Sequence, residues 1–389
     1  MEAHQAGRFA EAENGYRCML SSEPSNPDAL NFLGMLRCQT GHPAEGAELL
    51  RRSVEVDPAN AHAWINLGNV LVTLEKDQEA LEAFTKATEL ASDLPKAWFN
   101  LGVCLGRCKR PNDAASAFHR VLKLEPGYLP AYDFLTRLLH RLGNYKEAAE
   151  LYREWLVYDP NNPIARHMVV ATAGTEAPSR ASIEYVQCLF DGFASHFDEN
   201  LTNLKYRAPE WVAERLGRKV PADAKLDILD AGCGTGLCGP LLRPLAARLV
   251  GVDLSSKMLE KARTRGTYDE LVEQELSQFM RSRPAAFDAV VSADTLIYFG
   301  ALEEPLESAR ACLRPGGVLA FTMEWLDPAA GDAPYRLETH GRYSHSEAYL
   351  REVLRQAGFV DPDFDVRVLR TERREDVRGH IVSARAPVP

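Results

Sequence analysis

Five small residues, Ala12, Gly46, Ala80, Ala114 and Ala148, stand 34 positions apart, and a ladder of that length leaves little choice of architecture. Beyond the rungs come Pro24, Pro58, Ser92, Pro126 and Pro160, and closer to them Tyr16, Leu50, Phe84, Phe118 and Tyr152. Ahead of the later rungs stand Leu30, Trp64, Trp98 and Tyr132, then Gly34, Gly68, Gly102 and Thr136. Within one unit Trp64, Leu67 and Leu71 recur at helical spacing, while Gly68 and Ala80 are small enough for two helices to cross closely. Pro58, preceded by Asp57, ends one helix pair and lets the next begin. A unit this short cannot bury its own apolar face, so stacking has to supply the core.

The period and the pattern of Trp, Gly, Ala, Phe and Pro resemble the tetratricopeptide repeat. The resemblance covers residues 1 to 162 and implies an all-α solenoid whose groove takes a protein or peptide. A solenoid that only dimerises or stiffens the protein is the alternative. Asn161 to Ala173 is expected as a capping helix, which makes residues 1–175 the first domain. Met1 falls where the first helix of the first repeat should already be running, so the opening repeat is expected as a half unit. Ser92 and Thr136 depart from the pattern mildly and are expected only to adjust local packing.

Charge narrows the partners. The formal net charge is −10, divided as −4 over residues 1–175 and −6 over 176–389. A grip on DNA or RNA needs a clustered basic face, so nucleic acid is not expected. No apolar run approaches the ~18–20 residues that span a bilayer, and the opening Met1-Glu-Ala-His lacks a basic and apolar leader, so no membrane is expected. The eight cysteines form no CxxC pair, which reads as a reducing, cytoplasmic compartment without a metal site. Cys104 and Cys108 share a helix face, but with no further ligand nearby they read as core residues.

Gly174 to Ala181 is small, polar and proline-bearing, and reads as a linker. Beyond it strands alternate with helices: strands at 225–231, 248–253, 269–274, 287–292 and 317–323, helices at 237–247, 255–265 and 301–313. Such alternation implies a parallel, doubly wound sheet with its ligand at the carboxyl ends of the strands. Residues 363–371 and 378–386 read as a closing antiparallel hairpin. Residues 176–225 are accordingly expected as linker and lid helices before a core at 226–389.

The first of these strands runs into Asp230-Ala-Gly-Cys-Gly-Thr-Gly236. A phosphate-binding Walker loop fails here, because Pro240 stands where the lysine must be. Gly234, Gly236 and Gly239 satisfy a dinucleotide GxGxxG, yet the loop begins at Gly232, and counted from there the third glycine falls on Leu237. The spacing Asp230-x-Gly232-x-Gly234-x-Gly236 instead resembles motif one of class I S-adenosylmethionine-dependent methyltransferases. The whole chain resembles bacterial methyltransferases with amino-terminal tetratricopeptide repeats, which implies a solenoid followed by a Rossmann-like, seven-stranded α/β domain. The implied cofactor is S-adenosyl-L-methionine. Gly232, Gly234 and Gly236, with Asp230 and Cys233, would cradle its methionine part, since a residue without Cβ lets the backbone turn and approach a ligand. Asp253, beside Leu254, would hold the ribose diol, and Glu275, beside Leu276, would meet the adenine amine. A noncatalytic cofactor-binding scaffold and a nicotinamide oxidoreductase stay open as alternatives.

Phe190 to Asp198, followed by Tyr206-Arg207-Ala-Pro, resembles the lid that precedes many small-molecule methyltransferase cores. Such lids place aromatic rings over the sulfonium, so Phe193 or Phe197 would add cation–π attraction of about 0.5–2 kcal/mol, with simple helix packing as the rival role. Arg207 would pair with the cofactor carboxylate, which suits a planar guanidinium. Methyl transfer rests mainly on holding nucleophile and methyl group collinear, and it does not strictly demand a general base. Asp294, after the fourth strand, and Tyr298 are placed to face the methyl group as catalytic candidates. His196, His340 and His345 are candidate bases, each set against a structural role. The connection Asp327 to Ser344 is long for a compact sheet and is expected in the acceptor pocket, but the acceptor is not readable from it.

Overall fold

The 34-residue step reappears as helix pairs. In the computed structural model, which describes residues 2–174 and 176–388, the first helices are α1 (Glu2–Gln5), α2 (Phe9–Ser22), α3 (Pro27–Gln39), α4 (Pro43–Val56) and α5 (Ala61–Thr73). They continue with α6 (Asp77–Leu90), α7 (Pro95–Arg107), α8 (Pro111–Leu124), α9 (Leu129–Leu142) and α10 (Tyr145–Tyr158). Asn26 and Asn60 cap α3 and α5 by accepting from the N–H groups of Ala29 and Ala63, and prolines open α3, α4, α7 and α8, where a missing N–H costs nothing. The four-residue α1 precedes α2. Met1 itself lies outside the described residues.

The repeat pattern has physical causes. Trp64 Nε1 donates to Pro58 O (2.9 Å), Trp98 Nε1 to Ser92 O (3.0 Å) and Tyr132 OH to Pro126 O (3.1 Å). The aromatic uses the carbonyl rather than the pyrrolidine ring, which is why Ser92 can stand in a proline position. The glycines serve close packing. A Cβ on Gly68 would lie 2.5 Å from Phe84 Cε1, and one on Gly102 would lie 2.8 Å from Phe118 Cε1. The small residue at position 68 therefore makes room for the ring of Phe84, whereas Gly34 and Gly46 face one another directly.

The chain divides into two compact units, Met1–Pro160 and Asn161–Pro389. α11 (Pro163–Ala173), capped by Asn162, belongs to the second, where His167 Nε2 bonds Gly341 O at 2.8 Å and the His167 ring stacks on Tyr185. Then follow α12 (Ile183–Phe193), α13 (Phe197–Asn203) and α14 (Ala208–Gly217). The alternating core comprises β1 (Leu226–Ala231), α15 (Gly239–Leu242), β2 (Ala246–Asp253), α16 (Ser256–Arg265), β3 (Glu270–Glu273), α17 (Leu276–Arg281), β4 (Phe287–Ser292), α18 (Glu303–Cys312) and β5 (Leu313–Trp325). It closes with β6 (Tyr335–Leu337), β7 (Tyr343–His345), α19 (Glu347–Gln356), β8 (Val360–Glu372) and β9 (Glu375–Arg385).

The sheet runs β3-β2-β1-β4-β5 in parallel, with β9 antiparallel on β5 and β8 outside it. That seven-stranded core is the expected one. The hairpin β6–β7 is additional: Ser344 and His345 pair with Glu324 and Trp325 beyond the point where the β4 ladder stops at Phe321. Alternate residues feed the two sheet faces, Leu229, Val250 and Phe321 packing one core and Ile228, Leu249 and Ala320 the other. The expected helix at 237–247 is a single turn followed by a short 3-10 segment. Pro240 and Pro244 remove donors and β2 starts early, at Ala246. Among the described residues no helix is long and apolar enough to cross a membrane, and no cluster of metal-ligating side chains is found.

Candidate cofactor and acceptor site

Strand order reverses between β1 and β4, so the loops leaving their carboxyl ends part there and open a crevice. Gly232, Gly234 and Gly236 take φ values of 81°, 53° and 84°, a region that residues with a Cβ seldom enter. A Cβ on Gly232 would also fall 2.1 Å from Thr295 Oγ1, and that hydroxyl donates to Gly232 O at 3.2 Å. The loop is thus pinned against the end of β4. On its other side Asp253 Oδ2 accepts the Gly234 N–H and Oδ1 the Ser255 N–H, both at 2.9 Å. Asp230 Oδ2 accepts from Tyr268 OH at 2.6 Å, but its Oδ1 is buried without a partner among the described residues. Burial raises the Asp230 pKa to about 7 although the Tyr268 hydrogen bond opposes the rise, and burial raises that of Asp253 against the N–H groups of Ser255 and Gly234 that it accepts.

The helices α12 and α13 are tied across these loops. Gln187 Nε2 donates to Leu254 O (3.2 Å), Ser255 Oγ to Asp191 Oδ1 (2.5 Å) and Thr235 Oγ1 to Asp198 Oδ1 (2.6 Å). Arg265 closes the set by pairing with Asp198 Oδ2 (2.5 Å) and donating to Thr235 O. Phe190 lies edge-on to Tyr298 at 5.5 Å and to Phe197 at 6.0 Å, which carries an aromatic row from the lid to the loop after β4.

A second polar group occupies the carboxyl ends of β4, β5 and β8. Arg370 Nη1 bonds Asp294 Oδ2 at 2.6 Å, Nε bonds Glu372 at 2.6 Å and Nη2 bonds Glu324. Arg342 bonds Glu324 at 2.6 Å and Glu372 at 2.8 Å, and His340 Nε2 lies 3.4 Å from Glu324. Asp294, whose own φ of 51° is unusual for a residue with a Cβ, also accepts from Thr322 Oγ1 at 2.7 Å. Burial pushes Asp294 up against the pull of Arg370, while His340 is pushed down to about 4 by burial and the neighbouring Arg342. Beside this group lies a cavity of about 380 Å³ lined by Glu324, Trp325, Glu338, His340, Ser344 and Arg378.

Residues 229–321 match the family model of the methyltransferase domain, and residues 37–95 and 107–171 match two models of the tetratricopeptide repeat. The chain joins tetratricopeptide repeats to a methyltransferase domain. Among curated proteins, trans-aconitate 2-methyltransferase of Paracidovorax citrulli is 31% identical over 161 residues, covering 41% of this chain and 56% of that protein. A malonyl-[acyl-carrier protein] O-methyltransferase of Enterobacter lignolyticus is 31% identical over 137 residues, covering 35% and 52%. Human methyltransferase-like protein 27 is 34% identical over 141 residues, covering 34% and 55%. The chain spans about half the length of these relatives.

S-adenosylmethionine is the cofactor such a methyltransferase domain implies, and the residues present fit it. The left-handed glycines leave the backbone open, and the orphaned Asp230 Oδ1 is an acceptor suited to an ammonium donor. Of the residues expected from the sequence, Asp230 and Asp253 stand at the ends of β1 and β2, and Gly232, Cys233, Gly234, Gly236 and Leu254 on the loops that follow, joined by the Gly234–Asp253 hydrogen bond. Glu275 caps α17 through Gln278 N (2.8 Å) and meets Arg180 at 3.3 Å, with buried Leu276 next to it. Phe197 joins the aromatic row through Phe190, and Phe193 is half-buried at the end of α12. Arg207 is exposed and stacks on Trp211, its guanidinium 4.2 Å from the ring, with Arg367 at 4.4 Å from the same ring. Its neighbour Tyr206 packs, as does Ala293, against the cluster of Ala208, Leu369 and Ile381.

Asp294 and Tyr298 both stand on the segment that follows β4. Of the candidate bases, His345 is fully buried with Nε2 on Gly300 O (2.8 Å), and His196 is exposed and bonds its neighbour Ser195. Sequence reasoning missed Arg370 and Glu324, and from the run Tyr206-Arg207-Ala-Pro it singled out Arg207 rather than Tyr206. Arg342 stands within the connection Asp327 to Ser344 expected in the acceptor pocket.

Proposed function

We propose that the carboxyl-terminal unit transfers the methyl group of S-adenosylmethionine to an acceptor bound over the ends of β4 and β5. The observation that carries this reading is the loop of three left-handed glycines running from Asp230 to the contact with Asp253. When bound, the cofactor supplies an activated methyl group. The chain's own part is to hold the reacting groups in line and away from water, for which the latched α12–α13 segment is suited. Asp230, the glycine loop and Asp253 would hold the cofactor, with Glu275 at the adenine end, and Asp294 and Tyr298 would face the acceptor.

The amino-terminal repeats would dock a protein or peptide that carries or selects the acceptor, as the repeat matches over 37–95 and 107–171 suggest. A cytoplasmic setting agrees with eight free cysteines. The antiparallel strand β9 beside β5 argues against a nicotinamide oxidoreductase.

Calorimetry with S-adenosylhomocysteine and with NAD tests the cofactor, and labelled S-adenosylmethionine tests transfer. Binding of NAD in place of S-adenosylhomocysteine would overturn the reading, and binding without transfer would leave the noncatalytic scaffold.

A further inference from the structure

The acceptor's chemistry can be narrowed from the ionic group around Asp294, on the reading that the domain transfers methyl groups. Arg370 holds three carboxylates, those of Glu372, Asp294 and Glu324, and Arg342 holds two, those of Glu324 and Glu372. Two cations therefore face three acids, and His340 adds no charge at neutral pH because its pKa is pushed down to about 4. Asp294 is the acid in surplus. It shares Arg370 with two other carboxylates, and it alone of the three stands on the loop that touches the glycine loop, through Thr295. An anionic acceptor arriving here would add a fourth negative charge beside guanidinium groups already committed to protein carboxylates, in surroundings where charge is costly.

Two hydroxyls in the same place are uncommitted. Tyr206 and Ala293, the residue before Asp294, both pack against the cluster of Ala208, Leu369 and Ile381, and Tyr298 stands on the turn that follows Asp294, edge-on to Phe190. Neither hydroxyl has a hydrogen-bond partner among the described residues, although nearly every other polar side chain around them does. Uncommitted donors of this kind at an otherwise saturated site are suited to holding a neutral polar group.

We infer that the acceptor is a hydroxyl or amine that still carries its proton, held by Tyr206 and Tyr298 and deprotonated by Asp294, and that it is not a carboxylate. In the transfer, a lone pair of the acceptor forms the new bond to the methyl carbon. The carbon–sulfur bond breaks with its electron pair left on sulfur, and the acceptor's proton passes to Asp294. A carboxylate would have no proton to give and would leave Asp294 without a role.

The test incubates the full chain with labelled S-adenosylmethionine and a small-molecule and protein extract of bacterial cells, then treats the labelled products with mild alkali. Methyl esters release volatile methanol, whereas methyl ethers and methylamines keep the label, so label stable to alkali is expected. Release of most of the label as methanol would overturn the acceptor class while leaving methyl transfer intact. Absence of S-adenosylhomocysteine binding, or transfer no greater than that of Asp253→Ala, would overturn the underlying reading instead.

With the labelled acceptor in hand, Asp294→Asn should lower single-turnover rates at least 100-fold while S-adenosylhomocysteine affinity stays within about twofold. The wild-type rate should rise with pH along a limb that the variant lacks. Should Asp294→Asn fail to fold for want of its Arg370 contact, Tyr206→Phe and Tyr298→Phe carry the test. Each should raise KM for the acceptor several-fold with S-adenosylhomocysteine affinity unchanged, and an unchanged KM in both would overturn their assignment.

Discussion

At the scale of single residues, Asp253 shows how one side chain serves the loop and the ligand together. Its two oxygens each accept one backbone N–H, from Gly234 and Ser255, and a carboxylate has about four lone-pair sites, so capacity remains for two hydroxyls. Hydrogen bonds to charged groups contribute about 1.5–3 kcal/mol each, so Asp253→Ala should weaken S-adenosylhomocysteine binding roughly ten- to a hundredfold, read by calorimetry. A folded variant with unchanged affinity would remove Asp253 from the site.

Buried imidazoles give a second expectation at this scale. His380 is fully buried with neither ring nitrogen hydrogen-bonded among the described residues, and His345 beside it is pushed down to about 4 by burial. Burial lowers the His380 pKa as well, below the ~6.5 of an unfolded histidine. The unfolded chain then binds protons that the folded one refuses, so this contribution is fully present above pH ~6.5 and is lost as the pH falls below it. Asp230, raised to about 7, acts in the opposite sense over the same range, so the comparison has to be between variants. His380→Leu should lose less stability than the wild type between pH 7.5 and pH 5, measured by urea midpoints. Parallel losses would show that His380 does not govern the response.

At the scale of elements, the repeat helices test close packing. Gly68→Ala places a Cβ where Phe84 now sits, and because that ring is itself fully buried, the overlap cannot be relieved by swinging it into solvent. Overpacking of this kind costs about 1–3 kcal/mol, so the melting temperature should fall, and Phe84→Leu in the same chain should recover much of the loss. No fall in the single variant would mean that α5 and α6 can move apart freely.

The same elements show what a sequence discloses. The helix pairs were legible because Trp64, Gly68 and Phe84 each recur in step, and the strands β1, β2 and β4 because continuous apolar runs end at turn residues or acids. The lid carried a readable motif, but which of its neighbouring residues faces inward was not readable. Arg207 stacks on Trp211, while Tyr206 packs against Ala208, Leu369 and Ile381. Hairpin β6–β7 has three-residue strands, too short to leave a period. The ionic group could not be seen because Asp294, Glu324, Arg342 and Arg370 come from four separate segments and meet only through the sheet's register.

For the whole molecule, the decisive question is what each unit needs from residues near the division at Pro160. Although α11 continues the repeat match as far as residue 171, its contacts belong to the second unit. His167 bonds Gly341 O and stacks on Tyr185 at 3.8 Å, and Gly341, with a φ of 86°, has no room for a Cβ because Met168 Sδ and Tyr185 OH would each lie 2.8 Å from it. Gly341 precedes Arg342, so α11 buttresses the turn that delivers one cation to the acceptor side. A chain beginning at Asn161 should therefore keep the melting behaviour of the second unit and bind S-adenosylhomocysteine within about twofold of the full chain, because every proposed cofactor residue lies beyond the division. A chain beginning at Ala177 lacks α11 and should melt several degrees lower, since at this size about 1 kcal/mol of lost packing shifts the midpoint by roughly 2–4 °C. If the repeats dock the carrier of the acceptor, the Asn161 chain should also lose turnover on a protein-bound acceptor at limiting concentration while keeping it on the free small molecule, because docking contributes effective concentration rather than chemistry. Turnover and affinity measured on the three chains decide the matter. Equal turnover of the full and Asn161 chains on the protein-bound acceptor would remove the docking role, and equal melting of the Asn161 and Ala177 chains would remove α11 from the methyltransferase unit.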